Sequence, residues 1–206
     1  LGYHVGGFTG FLNSLSRLCN RTRPSHVIVA WEGGGSARRR AIYSGYKKNR
    51  RPPKLNRYYL DDIPDTTKNR DNQIALSIAA LKHTPICQVY VQDCEADDVL
   101  AYLVKYKLQE SRCVIVSSDK DFYQLLSKRI IQWSPGQKKY VTPKTITEKF
   151  GISPTNFCTA RCFVGDPSDG LDGVPRAGFK SLAKRFAELA SKKFVSVDVL
   201  VASAEY

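Results

Sequence analysis

The stretch ICQVYVQDCEADDVLAYL, residues 86–103, joins a short apolar run to a helical pattern whose first turn is crowded with carboxylates. Residues 86–91 have the length and β-branched composition of a strand. Residues 95–108 repeat apolar side chains at helical spacing, at positions 96, 99, 100 and 103. A strand that leads directly into a helix is the repeating unit of an α/β fold, so this stretch predicts a largely parallel sheet flanked by helices.

Similar alternation extends on both sides of this unit. Two more apolar runs, residues 26–31 and 113–118, predict buried strands. Helices are predicted over residues 6–19, most of 56–83, 121–126 and from about 145 onward. Residues 129–133 and 138–142 flank the turn Ser134-Pro135-Gly136 and predict a hairpin. We therefore expect an α/β core over residues 1–142, including a basic region at 33–55, continuous with a helical part over 143–206.

All three predicted buried strands run into acidic residues. The acids that follow them are Glu32 after the first strand, Asp93, Glu95, Asp97 and Asp98 after the second, and Asp119 and Asp121 after the third. In an open α/β sheet, ligands gather beyond the carboxyl ends of parallel strands. The acids are therefore expected to meet in one crevice.

Two ordinary explanations compete with a binding site. Acids in a first helical turn can cap free N–H groups, which would account for Asp119 or Asp121 singly. Surface ion pairing at i,i+4 is disfavoured, because no basic residue stands four positions after Glu95, Asp97 or Asp98. Uncompensated carboxylates repel one another, so a positive charge must lie among them, and hard oxygen ligands suit Mg²⁺ or Mn²⁺.

A second acidic stretch, GDPSDGLDGVPRAGFK at 165–180, contains Asp166, Asp169 and Asp172. An EF-hand is excluded because Leu171 and Ala177 stand where that loop needs glycine and glutamate. The glycines and proline instead predict tight turns between two helices. Such a hairpin could offer N–H groups and Lys180 to a phosphate, or it could be a plain structural connection.

The chain is strongly basic, with 32 Lys and Arg against 19 Asp and Glu in 206 residues, a net charge of +13. This favours nucleic acid as partner over a membrane, and no apolar run approaches the ~18 residues of a membrane span. Residues 37–54 concentrate basic side chains around Tyr43 and Tyr46 and could bind phosphates and bases, or form a solvated loop. The six scattered cysteines are interpreted as reduced thiols of a cytoplasmic protein.

Taken in order, three motifs resemble the flap endonuclease (structure-specific 5′-nuclease) family. These are EADD before a helix, a strand ending SSDKDFYQLL, and GDPSDGLDGVPRAGFK, with YKKNRRPP resembling the basic segment of the helical arch. The likeness is closest to phage 5′→3′ exonucleases, phage ribonuclease H-type members and the 5′-nuclease domain of bacterial DNA polymerase I. It implies a PIN-like fold with a helical arch, and a helix–three-turn–helix motif at 165–180 that grips duplex DNA.

The resemblance also implies ligands for two or more Mg²⁺ or Mn²⁺ ions. The first metal site matches Glu95, Asp97, Asp98 and Asp119, and the second matches Asp121, Asp166 and Asp169. Glu32 stands where the family usually has an aspartate. Lys47 and Arg39 match residues that contact the scissile phosphate, and with Asp98 and Asp119 they are the candidate catalytic residues. The candidate DNA-binding residues are Arg38, Arg39, Tyr46, Lys47, Lys48, Arg50, Arg161, Gly173, Gly178 and Lys180, with K⁺ at the helix–three-turn–helix motif.

Three departures from the family pattern bear on these expectations. The N-terminal strand that ends in aspartate before glycine has no counterpart, so we expect native sequence upstream of Leu1, and members usually continue past Tyr206. Arg176 replaces an expected glycine. The implied activity is metal-dependent hydrolysis of DNA at 5′ flaps and 5′ ends by a monomer. The alternatives are a non-catalytic DNA-junction binder on the same fold and, less favoured, an RNA-cleaving PIN-like nuclease.

Overall fold

The structure, a computed structural model, describes residues 5–48 and 67–204. The strands are β1 (Ile28–Trp31), β2 (Cys87–Tyr90), β3 (Cys113–Val116), β4 (Ile130–Ser134) and β5 (Lys139–Val141). The α-helices are α1 (Gly6–Thr22), α2 (Ser36–Ile42), α3 (Thr67–Leu81), α4 (Ala96–Tyr102), α5 (Pro143–Phe150), α6 (Phe157–Val164), α7 (Phe179–Arg185) and α8 (Val197–Ala204). The chain divides into two compact units, residues 1–32 with 51–91 and residues 33–50 with 92–206.

The first unit contains β1, β2, α1 and α3. The two strands are parallel, with Ile28 opposite Cys87 and Trp31 opposite Tyr90. The Trp31 indole N–H donates to Gln88 Oε1 at 2.9 Å, and Gln88 Nε2 donates to the Ile78 carbonyl of α3 at 3.1 Å. The predicted strands at 26–31 and 86–91 are therefore confirmed, while residues 56–66 of the predicted helical stretch lie outside the described residues.

The second unit contains a three-stranded sheet in which β3 and β4 are parallel and β4 and β5 antiparallel. The hairpin predicted around residues 134–136 is confirmed. One apolar cluster joins β3 and β4 to every later α-helix, through buried side chains such as Ile115, Ile146, Phe157, Leu182 and Leu200. The described helices after residue 143 thus share the core of this sheet, and the proposed division at 142/143 does not coincide with the division between the compact units.

The expectation of three buried strands in a single sheet is wrong. β1 pairs with β2, whereas β3 pairs with β4 in a separate sheet. No residue of β1 is fully buried, and Val114 and Val116 of β3 are 39% and 45% exposed. Alternate side chains of β3 point to opposite faces of the sheet, and Ile115 faces the core whereas Val114 and Val116 face away from it. A short apolar run has the same appearance in an edge strand as in a buried one.

The helix predicted over 95–108 is confirmed, but its hydrogen-bonding pattern changes from α-helical to π-helical along its length. α4 ends at Tyr102, and a π-helical turn continues over Leu103–Lys107. The predicted short helix at 121–126 is a 3₁₀ helix over Asp121–Leu125. Among the helices that the structure describes, none has the length and apolar character to cross a membrane. The six cysteines carry free thiols.

Candidate active site

Glu95 stands immediately before α4 and is 5% exposed. Its side chain makes no capping hydrogen bond to the helix, so capping does not explain it. Instead, Lys47 Nζ lies 2.9 Å from Glu95 Oε1, and Arg39 Nη1 lies 3.1 Å from Oε2. The Tyr46 hydroxyl donates to Oε2 at 3.3 Å. This buried carboxylate is therefore held by two cations and a phenol from residues 39–47.

Arg39 also forms a bidentate pair with Asp98, one turn into α4. Both nitrogen–oxygen distances are 2.8 Å. The hydrogen bond to Asp98 raises the pKa of Arg39 above its usual value, against the effect of burial. Burial lowers the pKa of Lys47, but hydrogen bonds to Glu95 and Tyr46 outweigh it, so the net shift is upward. Both cations are therefore fixed in their charged forms at this carboxylate pair.

The backbone of residues 33–48 is docked so that these cations reach α4. A Cβ at Gly35 would lie 2.4 Å from the Glu95 nitrogen, so only glycine permits this approach. Lys47 adopts φ +54°, and its N–H donates to the Asp169 carbonyl at 2.8 Å. The left-handed conformation is uncommon for a residue with a side chain and is often found at functional sites. The turn at Lys47 thus ties the basic segment to both Glu95 and residue 169.

A second carboxylate group follows β3 and α6. It consists of Asp119, Asp121 and Asp166, with Arg161 among them. Arg161 Nη2 lies 3.2 Å from Asp121 Oδ1 and also contacts Asp166 Oδ2. Asp119 Oδ1 accepts the Asp121 N–H at 2.9 Å, so the capping explanation holds in part for Asp119. A cavity of about 630 Å³ is lined by polar and charged residues that include Asp119, Arg161, Asp166 and Asp169.

The carboxylates of this group are close enough to influence one another. Burial raises the pKa of Asp121, and the charges of Asp119 and Asp166 raise it further against the lowering effect of Arg161. Gln132, on β4, is fully buried and donates from Nε2 to the carbonyls of Ser117 and Asp119, at 2.6 and 2.8 Å. Gln132 therefore fixes the loop that presents Asp119 to the cavity.

The acidic stretch 165–178 forms tight turns between α6 and α7. Asp166 pairs with Leu171 through two backbone hydrogen bonds, of 2.7 and 2.9 Å. A Cβ at Gly173 would lie 2.2 Å from the Val164 carbonyl oxygen, so the turns pack directly on the end of α6. Arg176, where the family pattern has glycine, adopts φ +64°. The backbone thus retains a conformation that favours glycine despite the substitution.

Residues 1–151 match the family described as 5′-3′ exonuclease, N-terminal resolvase-like domain. The chain belongs to this 5′-3′ exonuclease family. The PIN-like resolvase fold of such a domain fits the helices and the parallel strand pairs β1–β2 and β3–β4.

Individual relatives agree with this assignment. The flap endonuclease Xni of Shewanella woodyi is 32% identical over 87% of this chain and 67% of its own length. The 5′-3′ exonuclease of Aquifex aeolicus is 31% identical over 87% of this chain, which spans 58% of that relative. A solved structure of the phage T5 D15 flap endonuclease, a pseudo-enzyme-product complex with DNA and metal ions, has a TM-score of 0.67. It shares 21% identity, covering 96% of this chain and 76% of that chain, and shows likeness of fold.

The exonuclease-family chain brings most of its predicted acidic ligands into the second unit. Glu95 and Asp98 form one group and Asp119, Asp121 and Asp166 the other, with the exposed Asp97 beside the first. Asp169 lines the cavity. Glu32 belongs to the first unit, and its part in a metal site remains a prediction.

The structure places the predicted DNA-binding residues in different surroundings. Arg39, Tyr46 and Lys47 contact the carboxylates, as described above. Arg38, Lys48 and Lys180 are exposed, and Arg50 lies outside the described residues. Arg161 was predicted to face DNA, but its guanidinium points inward at two carboxylates, because α6 places it beside Asp166 at the start of the turns. Gly178 precedes α7 and Gly173 packs against α6, so for Gly173 a structural role is sufficient.

The absence of an i,i+4 cation led to the prediction that a positive charge must lie among the carboxylates that include Glu95 and Asp98. Arg39 and Lys47 supply positive charge from another segment of the chain. Gln132 was missed by sequence reasoning, because a glutamine within an apolar strand carries no signal of the carbonyls that it will bind.

Proposed function

We propose that this chain is a divalent-metal-dependent 5′-nuclease that hydrolyses DNA phosphodiester bonds at 5′ flaps and 5′ ends. The observation that carries the proposal is that Asp119, Asp166 and Asp169 line one polar cavity, with Asp121 joined to Asp166 through Arg161, within the same compact unit as the cations Arg39 and Lys47. Family membership and the names of the relatives support the substrate class.

Carboxylate oxygens are ligands that a hard divalent cation prefers, so these residues fit a metal ion chemically. Their side chains are not spaced around a common metal position in this structure. Within residues 5–48 and 67–204, no group of three or more His, Cys, Asp or Glu side chains is spaced to hold a metal ion. The chain's own cations lie against these oxygens instead. Burial is the main cause of the raised pKa of Asp121, and the nearby carboxylates Asp119 and Asp166 raise it further.

Two groups of residues would hold the metal ions. Glu95, Asp97, Asp98 and Asp119 would hold one, and Asp121, Asp166 and Asp169 the other, with Glu32 a further candidate. Bound Mg²⁺ or Mn²⁺ would supply activation of the attacking water and stabilisation of the leaving oxygen. A structure of the similarly folded T5 5′-exonuclease with bound divalent zinc ions supports divalent-metal dependence.

The chain's own residues would bind and orient the phosphate. Arg39 presents a planar fork that suits phosphate as well as carboxylate, and Lys47 supplies a compact charge. Tyr46 lies under both, with Lys47 Nζ 4.9 Å and Arg39 Cζ 5.8 Å from the ring centroid. Its buried ring fixes the two cations beside the carboxylates, so that a phosphate bound by them would lie next to the acidic groups.

Duplex DNA would be gripped by α6, the turns of 165–178 and α7, acting as a helix–three-turn–helix motif. The exposed Lys180, the exposed basic residues Arg38 and Lys48, and the net charge of +13 support this role. K⁺ at these turns is part of the proposal, and the retained left-handed backbone at Arg176 is compatible with it. We propose a monomer that acts on branched or flapped DNA.

The experiment is cleavage of a labelled 5′-flap substrate by the full chain in Mg²⁺, Mn²⁺ or EDTA. Asp119→Ala should lower the rate at least roughly a hundredfold, because loss of even an outer-shell partner of a metal costs 10–100-fold. Glu148→Ala, which removes an exposed acid of α5, is the control and should leave the rate unchanged. Equal rates for Asp119→Ala and the unsubstituted chain would refute the site.

A non-catalytic DNA-junction binder is the second candidate. It is favoured by the ion pairs that neutralise Glu95 and Asp98 with Arg39 and Lys47. Tight flap binding without cleavage at any Mg²⁺ or Mn²⁺ concentration would establish this candidate and exclude the nuclease.

A further inference from the structure

We propose that Arg161 is a resident counterion that competes with the divalent cation for Asp121 and Asp166, and so sets the metal affinity of the second carboxylate group. The inference rests on the proposed function, because it concerns the cation that this function requires.

The contacts of Arg161 are those of a counterion. Its Nη2 reaches both Asp121 and Asp166, and its Nη1 donates to the Gly165 carbonyl at 3.3 Å. The side chain is 19% exposed, and that of Asp166 is 15% exposed. One guanidinium nitrogen therefore occupies the space between two carboxylates from distant parts of the chain, where a bridging cation would have to bind.

The same guanidinium is incompletely satisfied. Arg161 Nε is buried and has no hydrogen-bond partner among the described residues. A buried donor without a partner costs roughly 1–3 kcal/mol, so this conformation is less stable than its ion pairs alone suggest. Because Arg161 also lines the 630 Å³ cavity, the side chain has open space into which it can move. Displacement of the guanidinium by a metal ion would release Nε from this position.

Arg129 in the same unit shows what a structural arginine looks like in this chain. Its guanidinium donates to the carbonyls of Val104, Leu108 and Ser111, and its hydrogen bonds contact no carboxylate. Arg129 closes the end of the π-helical turn, whereas Arg161 contacts acids at the rim of a cavity. Substitution of Arg129 is therefore a control for substitution of Arg161, because each removes one positive charge and only Arg161 contacts carboxylates.

The test is Mn²⁺ binding to the full chain, measured from the electron paramagnetic resonance signal of free Mn²⁺ without DNA. Arg161→Gln should lower the Kd for Mn²⁺ by roughly tenfold or more, because the guanidinium would no longer compete with the ion for the oxygens of Asp121 and Asp166. Arg161→Lys, which keeps the charge without the fork, should give an intermediate Kd. Arg129→Gln should leave the Kd unchanged, which controls for the loss of one positive charge.

Stability provides a second readout. In EDTA, Arg161→Gln should unfold at a lower denaturant concentration than the unsubstituted chain, and saturating Mn²⁺ should close the gap. An unchanged or raised Kd in Arg161→Gln would overturn the proposal while leaving metal dependence intact. If that variant does not fold, Arg161→Lys decides alone, and a Kd equal to that of the unsubstituted chain overturns the proposal. If no form binds Mn²⁺, both the counterion role and the proposed metal dependence are refuted.

Discussion

Replacement of Lys47 by methionine tests the buried charge cluster around Glu95. The substitution keeps most of the side-chain length but removes the ammonium group 2.9 Å from Glu95 Oε1. Loss of one partner of a buried ion pair costs about 3–5 kcal/mol, because the other charge is left without compensation. Here Arg39 still contacts the second oxygen at 3.1 Å, so the expected cost is nearer about 2 kcal/mol.

The free energy of unfolding is best measured in a Trp31→Phe background. The chain has two tryptophans, and this change leaves only Trp133, which belongs to the second unit and is 8% exposed. Urea unfolding of Lys47→Met, Glu95→Gln and the double variant completes a double-mutant cycle. In EDTA we expect a coupling energy of about 1–2 kcal/mol between the two side chains.

Magnesium should change that coupling. If Glu95 holds a metal ion, saturating Mg²⁺ neutralises the carboxylate in place of Lys47, and the cost of Lys47→Met should fall below about 1 kcal/mol. Lys144→Met is a matched control, because Lys144 pairs with Glu148 on the surface of α5 at 3.7 Å and should cost less than about 0.5 kcal/mol in either buffer. A coupling energy below about 0.5 kcal/mol in EDTA would refute the claim that Lys47 compensates a buried charge.

Two further predictions concern the scaffold of the site. Gly173→Ala should lower the free energy of unfolding by about 2–3 kcal/mol, because its Cβ would lie 2.2 Å from a carbonyl oxygen. Gly178→Ala, whose Cβ meets no atom closer than 3.7 Å, should cost less than about 1 kcal/mol, and equal costs would contradict the close packing of the turns. Gln132→Leu should cost about 2 kcal/mol or more and slow flap cleavage, because two carbonyls of the Asp119 loop lose their donor. Gln124→Ala, which removes an exposed hydrogen bond to the Asp121 carbonyl within the same 3₁₀ helix, should leave both measurements nearly unchanged.

Local sequence patterns were enough to predict most of the elements. Strands, helices and turns of this kind depend mainly on residues that are close in the sequence, so local patterns predict them. Examples are the β-branched runs, the apolar stripe of the helix after Glu95 and the turn at 134–136. The division of the strands into two sheets was not predictable in the same way. A four-residue apolar run such as β3 gives no indication of how many strands will pair with it.

The basic residues that pair with the carboxylates of the site are distant from them in the sequence, so no local pattern predicts the pairs. Lys47 and Glu95 are 48 residues apart, Arg39 and Asp98 are 59 apart, and Arg161 and Asp121 are 40 apart. The acids at the strand ends could be singled out as candidates, because carboxylates without a basic residue at i,i+4 are visible in the sequence. Their partners could not be, since a basic residue in a segment that resembles a DNA-binding arch can bind either a phosphate or a carboxylate.

The central claim is that these carboxylates hold divalent metal ions in an active nuclease. The most direct measurement is anomalous diffraction from crystals of the full chain grown with Mn²⁺, using a preparation whose Mn²⁺-dependent flap cleavage has been verified. We predict anomalous peaks about 2.0–2.3 Å from carboxylate oxygens at the Asp119, Asp121 and Asp166 group and at the Glu95 and Asp98 group, with Arg161 displaced from Asp121. Active preparations whose crystals show no manganese at either group, with Arg39, Lys47 and Arg161 still on the carboxylates, would contradict the account.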